Sequence, residues 1–394
     1  MIAERVGRIQ PSFTLEMTAR AADLRNSGID VINLGVGEPD FNTPANIREA
    51  AVRAMADGHT KYTPGRGTLE LREAICTKLK RDNSLDYTPD QIVVSNGAKH
   101  SLSTLFQAVL NPGDEVIIFS PYWVSYTEFV RLADGEPVVV NTIASDNFTP
   151  DWDDLEAKVS SRTTAVILNS PSNPTGAVWD DSTVTRVLSM AAEHNWIIIS
   201  DECYERLVYD APYRSSELIN DVGANVLTIQ SLSKTYAMTG WRIGYTAGES
   251  AIINAMAKIQ GQTTSCPNSI GQKAAVEALV GDQSEVEAMC KTFAQRRDSM
   301  IDRLNAIENL SCSRPSGAFY AFPDVSHYIG RSADGKIIDS SFALSDYILD
   351  CARTVTVAGS GFGAEGHIRL SYATDESVFL EGVDLLEEAL KKLS

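Results

Sequence analysis

The chain has 394 residues, more than one compact core ordinarily accommodates, so a large domain with a smaller companion is expected. Hydrophobic residues make up 43% and charged residues 22%, the balance of a soluble globular enzyme. Lys+Arg 34 against Asp+Glu 52 gives a formal net charge of −18, which argues against nucleic acid or an anionic membrane as partner but leaves room for an anionic small substrate held by a few arginines in a cleft.

The first residues, Met1-Ile2-Ala3-Glu4-Arg5, lack the apolar core of a signal peptide, and no run approaches the roughly 18 apolar residues of a membrane span, so a cytoplasmic location is expected. The 6 cysteines are dispersed without a CxxC pair, and the 5 histidines make no ligand pair at helical spacing. Reduced thiols and no metal site are expected.

Short apolar runs then alternate with amphipathic stretches. Gln91-Ile92-Val93-Val94 reads as a buried strand, followed by Ser95-Asn96-Gly97-Ala98-Lys99 and by Leu102, Leu105, Phe106 and Val109 at helix spacing. Small residues at such a junction leave backbone N–H groups and the helix dipole free to hold a phosphate, although a glycine there is equally common for steric reasons. The helix stops at Asn111-Pro112-Gly113, and a strand resumes at Glu115-Val116-Ile117-Ile118-Phe119. Beyond it, Pro121-Tyr122-Trp123 offers an aromatic face, either to a planar ring or to the core.

Residues 165–168 form the next strand and lead into Asn169-Ser170-Pro171-Ser172-Asn173-Pro174-Thr175-Gly176. Prolines there fix the backbone so that Asn173 can point into a site, while the same pairs also make ordinary turns. The strand at 196–200 delivers Asp201, with Tyr204 three residues on. A carboxylate against a pyridine nitrogen keeps it protonated, and a tyrosine there can donate to a phenolic oxygen; helix capping is the plainer role for such an aspartate.

The strand at 226–229 precedes Ser231-Leu232-Ser233-Lys234-Thr235-Tyr236-Ala237-Met238-Thr239-Gly240-Trp241-Arg242. A lysine at a strand end amid small hydroxyl residues can form an imine with an aldehyde, and Ser231 and Arg242 can reach a phosphate. Strands separated by helices indicate βαβ units and a mainly parallel sheet, whose ligands gather at the carboxyl ends of the strands. A short strand at 367–370 and a helix striped by Phe379, Val383, Leu386, Leu390 and Leu393 close the chain. The domain change is placed near residue 285, giving a large domain over 46–285 and a small one from 1–45 and 286–394.

Together these motifs resemble the fold-type-I, pyridoxal-phosphate-dependent aminotransferases, and within them the class I branch of bacterial-type aspartate aminotransferases. The resemblance runs from Leu34-Gly35-Val36-Gly37-Glu38-Pro39-Asp40 to Ile368-Arg369-Leu370-Ser371-Tyr372-Ala373. It implies an α/β fold with a large mainly parallel-sheet domain and a smaller α+β domain, and pyridoxal 5′-phosphate carried as a Schiff base on Lys234. It further implies that Lys234 exchanges the proton between the substrate α-carbon and the cofactor, that Asp201 pairs with the pyridine nitrogen, and that Tyr204 and Asn173 bind the phenolic oxygen. Gly97, Ala98, Ser231 and Arg242 would surround the phosphate, with Lys99 and Trp123 beside cofactor and substrate. Tyr62, in Lys61-Tyr62-Thr63-Pro64-Gly65, would reach the phosphate from a second subunit, implying a homodimer with shared active sites. Arg369 would grip the substrate α-carboxylate through two parallel charge-assisted bonds, with backbone contact from Gly37.

The implied partners are an amino acid and a 2-oxo acid, taken in turn in a ping-pong cycle. Lys99 matches a lysine associated with the distal carboxylate of aspartate or glutamate, which favours L-aspartate or glutamate with 2-oxoglutarate or oxaloacetate; the alternative is a lysine facing solvent. Members that also transaminate prephenate carry a lysine before the proline matching Pro11, where this chain has Gln10, so prephenate activity is not expected. Gln230-Ser231 replaces the Asn-Gly of close relatives and adds a hydroxyl near the phosphate. Competing readings keep the cofactor but change the donor to an aromatic or other neutral amino acid, or turn the same electron sink to elimination of a β-substituent. A non-enzymatic cofactor-binding protein and a nicotinamide dehydrogenase, for which the GxGxxG after an early strand is missing, are set aside.

Overall fold

The computed structural model describes residues 2–10, 13–210, 213–333 and 335–394. Seven strands form the main sheet: β1 (Ile92–Ser95), β2 (Glu115–Phe119), β3 (Glu136–Val140), β4 (Thr163–Asn169), β5 (Ile197–Asp201), β6 (Asn225–Ser231) and β7 (Gly244–Ala247). Their spatial order is β1-β7-β6-β5-β4-β2-β3. Pairing is parallel from β6 across to β3, and β7 alone runs antiparallel to its neighbours β1 and β6.

Side chains on a strand alternate between faces, and both faces of this sheet are covered. Ile117, Val166 and Ile198 point one way, into a core shared with Val184, Val187 and Leu188. Val116, Ile118, Ala165, Ile167 and Ile199 point the other way, against Leu102, Leu105 and Phe106 of α1 (Ala98–Val109) and against Ile253 and Met256. Burial on both faces is why these strands appear in the sequence as unbroken apolar runs. Each fully buried side chain of this kind contributes about 1.5–3 kcal/mol.

A third core joins Leu34 to Phe293, Met300 and Leu304 of the helix Ser284–Asn305 and to Phe379, Val383 and Leu386 of the helix Glu376–Leu390. Beside it, β8 (Tyr320–Ala321), β9 (Val357–Ala358) and β10 (Ile368–Ser371) form an antiparallel sheet in the order β8-β10-β9. The N-terminal segment is tied to this region: Ile32–Asn33 pairs in parallel with Thr354–Val355, and the Ser371 N–H donates to the Leu34 carbonyl at 2.7 Å. The Arg296 guanidinium holds Asp40 with two bonds of 2.8 and 3.0 Å. These anchors bring residues 35–38 over the carboxyl ends of the main strands. Pro11 lies outside the described residues; Gln10 is exposed, and its backbone N–H donates to Glu128 Oε2 at 2.8 Å. Among the described residues, no helix is long and apolar enough to cross a membrane.

Candidate active site

Parallel strands end on one edge of a sheet, so the residues that follow them converge. Asn169, at the end of β4, lies opposite Asp201 at the end of β5, which in turn lies opposite Ile229 of β6. A cavity of about 430 Å³ opens at this edge, large enough for a ring-sized ligand and a small substrate together. Gly37, Ala98, Lys99, Trp123, Asn173, Asp201, Tyr204, Ser231, Lys234, Arg242 and Arg369 all line it. Two of the site residues expected from sequence are not on the cavity wall. Gly97 is buried next to the lining residue Ala98, and Tyr62 is 89% exposed, outside the cavity of its own chain.

Lys234 lies on the short helix Leu232–Thr235 directly after β6, and its Nζ donates to the Gly37 carbonyl. Burial pushes the ammonium down to about 8, against the opposing pull of Cys203 and Glu38. Asp201 is buried: Oδ2 accepts from the Tyr126 hydroxyl at 2.7 Å, and Oδ1 from the Cys203 N–H at 3.2 Å. Burial pushes its carboxyl up, while those two bonds hold it down. Asn169 ties the neighbouring turn to this strand end, since its Nδ2 donates to the Asp201 carbonyl at 3.1 Å and its Oδ1 accepts from the Asn173 N–H at 2.9 Å.

At the other end of the cavity a cradle of donors is closed by glycines. Gly97 has φ +80° and precedes α1, whose N-terminus has no side-chain cap. A Cβ on Gly97 would sit 2.6 Å from Arg242 Nη2, and one on Gly244 would sit 2.5 Å from the Ala98 nitrogen. Only glycine lets the guanidinium and β7 approach the helix N-terminus this closely. The Ser231 and Ser233 hydroxyls are 2.9 Å apart on the same side, and Arg242 is held by a 2.7 Å bond from Nη1 to the Thr239 carbonyl. Helix amides, two hydroxyls and a guanidinium are the donor set of a phosphate site.

Arg369, in β10, is 2% exposed. Nη1 donates to Asn173 Oδ1 at 3.0 Å, Nη2 donates to the Gly35 carbonyl at 2.8 Å, and Nε has no partner. The guanidinium lies 4.5 Å from the Tyr320 ring centroid and 5.1 Å from that of Phe362. Among the described residues neither this buried cation nor the buried Asp201 forms an ion pair, and burial pushes the Arg369 group down. A buried charge without a counter-ion is costly, and an anionic ligand relieves the cost. Lys99 is exposed at the cavity wall, with its Nζ 5.2 Å from the Trp123 ring centroid; burial and then Arg242 push its ammonium down.

Several contributors were not identified from sequence. Tyr126 holds Asp201, and the Tyr320 hydroxyl lies 2.9 Å from that of Tyr204. Glu38 lies within the quoted N-terminal motif, and its Oε2 accepts from Thr239 Oγ1 at 2.7 Å.

The family model for aminotransferase class I and II matches residues 29–385. The chain belongs to this family. It is an aminotransferase with the α/β architecture expected of it. It is 44% identical over 393 residues, 99% of each chain, to the aspartate aminotransferase of Bacillus sp. (strain YM-2). The crystal structure of the aspartate aminotransferase from Rhizobium meliloti superposes with TM-score 0.96 at 41% identity, covering 100% of both chains. That of Thermus thermophilus with maleate gives TM-score 0.93 at 40% identity over 99% of both.

Proposed function

We propose that the protein binds pyridoxal 5′-phosphate at Lys234 and moves the amino group of L-aspartate or glutamate to a 2-oxo acid such as 2-oxoglutarate. One observation carries this reading: the cation Arg369, the anion Asp201 and the amine Lys234 face a single cavity, and among the described residues none forms an ion pair. That arrangement matches a substrate carboxylate, a protonated ring nitrogen and an aldehyde.

When bound, the cofactor supplies an aldehyde carbon for amine exchange and a ring that withdraws electrons. Asp201, oriented by Tyr126, would hold a proton on the ring nitrogen. The Tyr204 hydroxyl and the Asn173 amide would donate to the phenolic oxygen, and Trp123 would offer its face to the ring. Gly97, Ala98, Ser231 and Arg242 would hold the phosphate. Arg369 would orient the substrate α-carboxylate beside Gly37, and Lys234 Nζ, in its neutral form, would carry the proton from the substrate α-carbon to the cofactor's aldehyde carbon.

Lys99 supports a second, distal carboxylate, because it carries its charge on the cavity wall. Relatives named aspartate aminotransferase, and one of them described with maleate, which bears two carboxylates, support the same preference. Tyr62, exposed outside its own cavity, supports a homodimer in which each chain completes the other's phosphate site. The parallel pairing of Ile32–Asn33 with Thr354–Val355 supports a small domain made from 1–45 and 286–394 beside a large one over 46–285. Six free cysteines fit a reducing, cytoplasmic setting in amino-acid metabolism.

The test is oxaloacetate formation by holoenzyme given aspartate and 2-oxoglutarate, with pyruvate and ammonia followed when no oxo acid is added. Oxaloacetate that appears only with the acceptor present supports the reading. Pyruvate or ammonia released without it would point to a lyase.

A further inference from the structure

We propose that Tyr320 is a positioning residue that couples a carboxylate arriving at Arg369 to the donor strength of the Tyr204 hydroxyl, a step that rests on the roles given above to those two residues. Tyr320 lies in β8, fully buried, and pairs in register with Ser371 of β10, the strand that carries Arg369. It touches both ends of the proposed relay. The Arg369 guanidinium lies 4.5 Å from its ring centroid, and its hydroxyl lies 2.9 Å from that of Tyr204.

Each phenol has one hydrogen to give, so the direction of this bond matters. If Tyr320 donates, the Tyr204 hydrogen is free to point into the cavity, and accepting a bond makes Tyr204 a stronger donor. If Tyr204 donates to Tyr320, its hydrogen is spent. A cation over the Tyr320 ring draws electron density from that phenol and favours the first arrangement. A carboxylate that neutralises Arg369 weakens this bias. Occupancy of the α-carboxylate site is thereby read at the phenolic-oxygen site through two hydroxyls, with no movement of the backbone.

The other titratable groups facing the pair are Cys203, beside Tyr204, and Asp201, Lys234 and Glu202, which face Cys203. Burial raises both tyrosines, so both keep their hydrogens near neutral pH.

The test is the pH titration of the visible absorbance of cofactor-loaded protein, with and without maleate, in wild type, Tyr320→Phe, Tyr204→Phe and the double variant. Phenylalanine keeps the ring against Arg369 and removes only the hydroxyl, and thermal unfolding of the loaded variants monitors their fold. Maleate is expected to displace the wild-type midpoint, and Tyr320→Phe should lose at least half of that displacement. In the Tyr204→Phe background, Tyr320→Phe should change nothing further, which a purely structural role would not predict. Tyr320→Phe that keeps more than half of the displacement, or that has the same effect without Tyr204, overturns the coupling. So does a wild type whose midpoint ignores bound maleate. A wild type that transaminates no amino acid would instead remove the functional reading beneath it.

Discussion

Arg369 and Asn173, 196 positions apart in the chain, share a 3.0 Å hydrogen bond from Nη1 to Oδ1. That bond ties the small antiparallel sheet to the turn after β4, while Arg369 lines the cavity and, among the described residues, its buried Nε has no partner. The guanidinium is thus oriented before any ligand arrives, and the N–H groups outside its bonds to Asn173 and Gly35 are left for a planar anion. Arg369→Lys keeps the charge but loses the fork. Loss of a buried charge-paired donor costs about 3 kcal/mol, so kcat/KM for aspartate should fall by roughly a hundredfold or more while the cofactor still loads. A value within about threefold of wild type would remove Arg369 from the carboxylate site.

Lys234 gives a pH signature in cofactor-free protein. Its ammonium falls from an ordinary value of 10.5 to about 8, so the folded protein binds fewer protons than the unfolded chain between those values. Stability therefore rises with pH across that window; the cost of burying the charge is fully present below pH 8 and gone above 10.5. Lys234→Met should raise the unfolding midpoint of the cofactor-free protein at pH 7, by at most roughly 3 kcal/mol of stability, and lose that advantage near pH 10.5. Covalent capture of pyridoxal phosphate by the wild type should level off near pH 8. A capture rate still climbing tenfold per unit beyond about pH 9 would contradict this environment.

Tyr126 holds Asp201 in its charged form, and Tyr126→Phe removes the largest of the hydrogen bonds that oppose its burial. The carboxyl should then move upward. The acid limb of the kcat/KM profile should follow to higher pH by about one unit, the worth of a hydrogen bond to a charged group. Unchanged acid limbs in the two proteins would mean that Asp201 does not need Tyr126.

Gly97 is fixed by geometry. Gly97→Ala would press a methyl to 2.6 Å from Arg242 Nη2 at a backbone φ of +80°. The variant should lose about 1–3 kcal/mol of stability and bind pyridoxal phosphate at least about tenfold more weakly, measured by titration of the cofactor-free protein. Normal affinity would show that Arg242 can withdraw without cost to the phosphate.

The central strands were legible because burial on both faces leaves unbroken apolar runs such as Val226-Leu227-Thr228-Ile229. β3 and β7 were not. β3 is an edge strand that begins with exposed Glu136 and contains Pro137, and β7 is four residues long, with a glycine and a threonine among them. Lys234, Asp201, Asn173 and Arg369 could be placed because each follows or lies in a strand inside a recognisable motif. Tyr126 and Tyr320 act across 75 and 116 positions, on Asp201 and Tyr204, and nothing beside them in the chain separates them from core aromatics. The counter-ion-free state of Arg369 was equally hidden, because it depends on what the other elements fail to bring near it.

The most direct measurement is single-turnover absorbance of cofactor-loaded protein mixed separately with aspartate, glutamate, alanine and tyrosine, in wild type and in Lys99→Ala. Conversion of the bound cofactor to its pyridoxamine form should be fast with aspartate and glutamate and at least about a hundredfold slower with the neutral donors, a gap that Lys99→Ala narrows by about tenfold. Faster conversion by alanine or tyrosine than by aspartate would contradict the account.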